Sequence, residues 1–419
     1  MKQDKANLRQ WCLFFVSASF VLFQFLLQAS PSVMIPQLMQ GLSINFAHIG
    51  LVSSSFFYPY ILLQIPAGFL VDRYGPTKVI LLSCSLCTLS CVLFSYAYVE
   101  HTAVFARIMM GISCAPAVVI TLYFGKLYFP DNQFPLIAGL LEMLGMLGGA
   151  LGDTVLATLV HFFHWRHAML VCAIVPLIIM GLILVFYKIE HNGQPKTNQA
   201  EIKLRYFPRH LYAILSIRQI WLSSLYACFM FTLITCFAGL WAVPFFSLLY
   251  TISTLKAASL SAIIFIGTAC GAPSYGILAG KLKNYTILLV GGAFFGGLLM
   301  LIIVYIPNIP INIMYGLLFL LGFVSSSYML SFDIVKNNSP PNTHGCAMGF
   351  TNMMCLVLGA PLLQPFIGYI LALLKANQTT LSLQSYQIAL TPILLSLLAA
   401  FMISFSIKSK HPYRDLHVN

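Results

Sequence analysis

The feature that most constrains this chain is its near-continuous succession of apolar runs, each about 20 residues long or more, divided by short polar breaks. A helix rising 1.5 Å per residue crosses a hydrocarbon core about 30 Å thick in a run of that length. With no water to satisfy backbone N–H and C=O groups, only helices and closed barrels span a bilayer. A barrel would show short alternating segments, whereas these runs are solid. Charged residues make up 8% of the 419-residue chain, against about a quarter in soluble domains, so a water-facing fold is excluded. The expectation is an all-α membrane protein.

Twelve transmembrane helices are expected near residues 11–37, 47–71, 77–98, 101–127, 133–160, 165–187, 217–250, 255–280, 285–306, 310–335, 343–374 and 383–407. A formal net charge of +12 would suit nucleic acid, but its distribution argues otherwise. Of the 22 Lys and Arg, 18 fall on the side of both termini, three (Arg166, Lys256, Lys375) fall on the other, and Arg107 lies inside a span. That asymmetry is the positive-inside pattern, with both termini expected in the cytoplasm. The basic excess is topology, and no nucleic-acid partner is implied. The first apolar run exceeds a signal-peptide core and reads as the first span. Eleven Cys, mostly within spans, read as small apolar residues rather than a disulfide framework.

The longest polar interval runs from Lys188 to about Ser216 and contains Gly193, Pro195 and Pro208. It divides the chain into residues 1–190, a six-helix half; 191–216, a cytoplasmic linker; and 217–419, a second six-helix half. A weak repeat supports this division. Gly68-Phe69-Leu70-Val71-Asp72-Arg73-Tyr74-Gly75 follows the second span, and Gly276-Ile277-Leu278-Ala279-Gly280-Lys281 follows the eighth.

Gly68-x-Leu70-x-Asp72-Arg73-x-Gly75, with Lys78 just beyond, resembles the loop signature of the major facilitator superfamily. Pro76 and Thr77 stand where the signature carries a basic pair. Arg107-x-x-x-Gly111 is similar to the family's fourth-helix motif, and Trp165-Arg166 is a further recurrent feature. The resemblance implies two parallel six-helix repeats around a midplane substrate site, and a cytoplasmic gate at Gly68, Asp72, Arg73, Gly75 and Lys78. Gly68 and Gly75 would permit close backbone approach and a tight turn. Asp72 would face the start of the eleventh span near Thr343, His344 and Gly345, where a helix dipole favours an anion. The glycine-rich stretch Gly145, Gly148, Gly149 and Gly152 resembles the fifth-helix motif of drug-exporting members but lacks their Gly-Pro step. Its small residues at i, i+4 suit close helix approach.

Ionisable groups inside hydrocarbon are functional candidates by default. Here they are Arg107, Glu142 and Asp153. Glu142 and Asp153 are about three turns apart on one face of the fifth span, roughly 16 Å along its axis. Asp153 and Arg107 lie at similar depth, so an Arg107–Asp153 pair is expected, with Glu142 nearer the cytoplasm. Burial favours a neutral carboxyl and a nearby Arg an ionised one. An acid that gains and loses such a partner would exchange a proton, whereas a permanent pair would only fix packing.

Pro31 and Pro36, Pro244, and Pro361 and Pro365 interrupt the first, seventh and eleventh spans, and broken spans mark cavities. Near them Gln24, Gln28, Tyr58, Tyr60, Trp241, Tyr328, Asn352 and Gln364 offer amide, hydroxyl and aromatic partners for a small organic solute. Cys84, Cys87 and Cys91 share a helical face, and His161, His164 and His167 crowd an outer turn. Core packing and interfacial placement are the plainer readings of these two groups, so no metal or other cofactor is expected. Asn377-Gln378-Thr379 fits a glycosylation sequon.

The resulting expectation is a monomeric secondary transporter in a bacterial inner membrane. It would move an amino acid, short peptide or similar metabolite by alternating access, as a proton symporter surrounded by membrane lipid. Drug or siderophore export and facilitated uniport are alternatives within the class. A membrane-embedded enzyme would need a catalytic cluster at one depth, and a sensor a soluble output domain; neither is evident, and no enzyme activity is expected.

Overall fold

The computed structural model describes residues 8–129, 134–190, 212–281, 286–340, 343–376 and 381–408. Residues 191–211 of the expected linker and the sequon at Asn377 lie outside the described residues. Every long element is helical, and no strand occurs among the described residues. Eleven helical segments are long and apolar enough to cross a membrane, where twelve were expected. The difference lies in Phe134–Glu190, a continuous assignment of 57 residues. Straight, it would run roughly 85 Å, far more than a bilayer core. His164 breaks it with left-handed backbone, φ 63°, so residues 134–163 and 165–190 are two arms, the fifth and sixth spans.

Prolines shape the remaining spans because each removes a helix donor. The first runs as Leu8–Ala29, passes through a 3-10 turn at Ser30–Val33, and resumes at Ile35–Leu42. The second comprises Phe46–Ser54 and Phe57–Tyr74, the third Pro76–Ser95, and the fourth Glu100–Cys114 and Ala117–Tyr128 on either side of Pro116. In the second half, Arg218–Met230, a π-helical stretch Leu233–Trp241 and Ala242–Leu249 form the seventh span. The eighth is Thr254–Lys281 and the ninth Thr286–Tyr305. The tenth joins Ile311–Ser325 to Leu330–Asn338 through a 3-10 turn. His344–Val357, π-helical Gly359–Leu363 and Gln364–Ala376 make the eleventh, and Leu383–Ser404 the twelfth.

Tight packing within each half depends on small residues, as lipid supplies no hydrophobic drive between helices. A Cβ at Gly148 would lie 2.0 Å from Leu22 O, so the fifth span rests directly on the first. The eighth and tenth meet equally closely, Gly322 against Ile264 O at 2.0 Å.

Between the halves, packing is unequal. On the side away from the termini, a Cβ at Gly50 would lie 2.6 Å from Pro365 Cα, and one at Gly368 only 2.4 Å from Phe46 O. The second and eleventh spans therefore touch backbone to backbone. Gly149 presses on the Phe265 ring, joining fifth to eighth. Phe46 lies 6.4 Å from Trp241, and Lys375 Nζ sits 5.6 Å over the Phe46 ring. On the termini side the same four spans carry Gly68, Gly139, Gly276 and Gly349, where an added Cβ would meet nothing within 4 Å. The seam is shut at one end and parted at the other.

Candidate functional site

Arg107 illustrates how the sequence builds the interior. Gly111, one turn on, lets the fourth span approach the second, since a Cβ there would lie 2.0 Å from Phe56 O. That approach lays the guanidinium 5.0 Å over the Phe56 ring. Pro31 has no N–H to offer Leu27 O, which accepts instead from Ser30 Oγ at 2.8 Å and from Arg107 Nη1 at 2.7 Å, while Nη2 donates to Ser53 O at 3.2 Å. A carbonyl left bare in hydrocarbon is costly, and the buried cation shares with Ser30 the one that the proline leaves.

The expected Arg107–Asp153 pair does not form. Asp153 Oδ1 accepts from Ser32 Oγ at 2.8 Å, and its Oδ2 has no hydrogen-bond partner. Both charges reach the same unwound stretch of the first span, one at Leu27 and the other at Ser32. Local backbone and hydroxyl groups are the partners of each instead. Both residues are fully buried. Among the described residues the single ion pair is His48–Glu100, on the outer rim.

Glu142 lies nearer the termini side and is only partly buried. Its Oε1 accepts a short hydrogen bond from Tyr328 Oη of the other half. Gln24 Nε2 donates to Tyr60 Oη at 2.7 Å, while Gln24 Oε1, fully buried, is unpartnered. Asn352 Nδ2 donates across the seam to Gln64 Oε1 at 2.8 Å. Tyr58 Oη donates at 2.9 Å to Pro361 O, which Pro365, four residues on, cannot reach with an N–H. Gln364 Nε2 donates to Thr235 O at 2.7 Å and leaves Oε1 free. Beneath the closed end lies a small cavity lined by Phe25, Gln28, Ala29, Phe57, Phe231, Ile234, Thr235, Gly239 and Phe265. Trp241 does not line it; its ring packs against Gly368 in the seal.

At the signature loop, Gly75 has φ 81° and caps the second span through its N–H to Val71 O at 2.9 Å. Pro76 then opens the third, so the tight turn expected there is present. Gly68 approaches nothing, because the halves stand apart at this end. Arg73 lies 5.3 Å over Tyr74, and Lys78 is exposed. The Asp72 side chain lies outside the described residues. Trp165-Arg166 has a structural role: Arg166 Nη2 donates to Ala97 O at 2.9 Å, with its guanidinium stacked 4.8 Å over Tyr98. Cys84, Cys87 and Cys91 are wholly buried in the third span's packing.

Sequence reasoning did not single out Gln64, Ser32, Thr235 or Phe231. Gln64 was legible, being an amide inside a span like Gln24. Ser32 and Thr235 were not, because most hydroxyls here bond back to their own helix, as Ser17 does to Phe14 O and Thr121 to Ala117 O.

Residues 13–363 match the model of the Major Facilitator Superfamily, and the chain belongs to that family. It is thus a multi-pass membrane protein of a transporter family. A probable sulfoacetate transporter of Cupriavidus necator, SauU, is 26% identical over 172 residues, 41% of this chain and 40% of that one. The probable galactarate/D-glucarate transporter GarP of Escherichia coli K12 is 24% identical over 184 residues, 42% and 41% of the two chains. The chain therefore spans about two-fifths of the length of these curated relatives. Among solved structures, a bacterial homologue of the human lysosomal transporter Spinster, inward-facing and occupied, superposes with TM-score 0.74 at 14% identity, covering 96% of this chain and 97% of that one. A variant of the nucleoside transporter NupG gives 0.73 at 13%, covering 94% and 99%. At those identities the likeness is one of fold.

Proposed function

We propose that this protein is a secondary carrier that moves a small organic solute by alternating access, with both termini in the cytoplasm of a bacterium. The observation that carries this reading is the unequal seam: four spans packed through glycines at one end and parted at the other, with a cavity and polar groups from both halves between. A rocking motion about that cavity would exchange the closed end for the open one. The solute is a zwitterion such as an amino acid or short peptide, or a similar metabolite; the relatives' names add sulfoacetate and D-glucarate to the solutes worth testing.

The carrier is proton-coupled, and Asp153 is the group that exchanges the proton. Its buried carboxyl has hydroxyl company, an open oxygen and no cation. It also lies where the first, fifth and eighth spans converge, since Ser261 of the eighth stands close to it. Opening of the far end would expose it to water. Counterflow in proteoliposomes tests the carrier: exchange of a labelled solute is expected, and its absence across amino acids, peptides, nucleosides and organic acids would sink the reading. Asp153→Asn is expected to keep exchange but flatten the pH dependence of net uptake. Unchanged pH dependence would remove Asp153 from the coupling.

A further inference from the structure

Among the described residues, the ionisable side chains deep within the spans are Arg107, Glu142 and Asp153, and only Glu142 is open to the space between the halves. Arg107 is enclosed beneath Phe56, with both Nη atoms committed to backbone carbonyls. Asp153 is sealed against Ser32. Glu142 faces a hydroxyl, not a cation: Tyr328 Oη reaches it from the opposite half. The Tyr328 ring stands 4.6 Å from that of Phe231, which lines the cavity, so the tyrosine links this carboxylate to the cavity wall. Tyr60 lies within electrostatic reach of Glu142 and also accepts from Gln24. Gln24 Oε1 is a fully buried acceptor with nothing to accept.

We propose that Glu142 is the binding group for a positively charged nitrogen on the transported solute, and that Tyr328 Oη occupies that nitrogen's place in the empty protein. This rests on the carrier reading given above. An ammonium group has three donors and no acceptor, so it needs a cluster of acceptors around one negative charge. Glu142 supplies the charge, and the Tyr60 hydroxyl within its electrostatic reach a neutral oxygen. A solute with anionic groups and no positive one, such as a sulfonate or a dicarboxylate, would need donors and a cation instead. Arg107, the buried cation deep in the spans among the described residues, lies farther from the termini side and has both Nη atoms committed to carbonyls. A dianion would bring its charge beside Glu142 without compensation, and such juxtapositions are strongly disfavoured at low dielectric. The solute therefore differs in charge from the sulfoacetate and galactarate/D-glucarate named for the relatives. Its arrival displaces Tyr328 and releases one of the side-chain bridges that hold the halves together, leaving Asn352–Gln64 in place.

The test uses the full-length protein in nanodiscs and three probes of one length, n-butylammonium, n-butanol and butyrate, at equal concentration and ionic strength, read by thermal melting. Butylammonium alone is expected to raise Tm, by about 2 °C or more at saturation. Glu142→Gln, which keeps an oxygen for Tyr328 to donate to, is expected to fold and to lose that response, weakening butylammonium binding about tenfold or more. Tyr328→Phe removes the stand-in and is expected to shift the half-saturating concentration several-fold lower, which a merely structural tyrosine would not do. The proposal is overturned by a wild-type response to butyrate equal to that to butylammonium, by no selective response to butylammonium, or by an undiminished response in Glu142→Gln. The carrier reading fails separately: a Glu142-dependent butylammonium response with no counterflow of any solute would keep the site and remove the transport.

Discussion

The two ends of the seam between the halves are made by the same four spans, yet they behave oppositely. At the far end, Gly50, Gly149 and Gly368 let the second, fifth, eighth and eleventh spans meet at distances that no side chain would allow. At the termini end, Gly68, Gly139, Gly276 and Gly349 face open space. Glycine at a helix surface is thus no proof of contact: it permits close approach, and the global arrangement decides whether the approach is made. Between the two ends the bridges are side-chain hydrogen bonds, Tyr58 to Pro361 O, Asn352 to Gln64 and Tyr328 to Glu142. Each contributes about 0.5–3 kcal/mol, depending on charge. Such contacts break singly, whereas glycine-mediated backbone packing holds or parts as a unit.

That contrast can be broken most forcefully at Gly368. Gly368→Val would drive a side chain into Phe46 O, an overpacking cost of about 1–3 kcal/mol. The far end should open, lengthening distances between spin labels at Tyr96 and Ile306 and abolishing net uptake. An unchanged distance distribution would mean that the seal does not depend on this glycine. Arg107→Lys keeps the charge but loses the planar fork that serves two carbonyls at once. A fall in stability of about 1–2 kcal/mol is expected, seen as a lower melting temperature with the far-end distances unaltered. Tyr58→Phe removes one bridge between the halves, at about 0.5–1.5 kcal/mol, and should shift the spin-label distances partway toward the open far end. His164→Gly should raise stability by about 1 kcal/mol, since φ 63° strains a side-chain-bearing residue. Gly68→Ala sharpens the comparison from the open end. Its melting temperature should match wild type, within about 0.5 kcal/mol, while transport slows because the termini end must close through that position.

Much of this architecture was legible before any coordinates. The apolar runs required helices, and the helices are there. Arg107 was readable as an ionisable group inside a span, and it is fully buried; the close approach that Gly111 allows was not read from the sequence. Gly75 was readable as a turn because few other residues accept φ 81°. The Arg107–Asp153 pair was misjudged for a definable reason. Periodicity and depth place two charges at one level, but they do not reveal that Leu27 O, left by Pro31, accepts from Arg107 as well as from Ser30, or that Ser32 Oγ meets Asp153 as well as Ala29 O of its own turn.

The apolar runs from which the reading began determined, by themselves, that this chain is a bundle of membrane-spanning helices, because a backbone in lipid has almost no other way to satisfy its polar groups. Prolines marked some of the breaks, at Pro31 and Pro361 among them, whereas Pro66, Pro273 and Pro392 stand inside continuous helices. Only the tertiary structure decided which neighbours meet each break, which glycines are pressed and which are free, and which of three charges meets a hydroxyl of the opposite half. Those outcomes depend on distances between residues as far apart as Glu142 and Tyr328, and such distances are set by the packing of whole helices rather than by any local run of sequence.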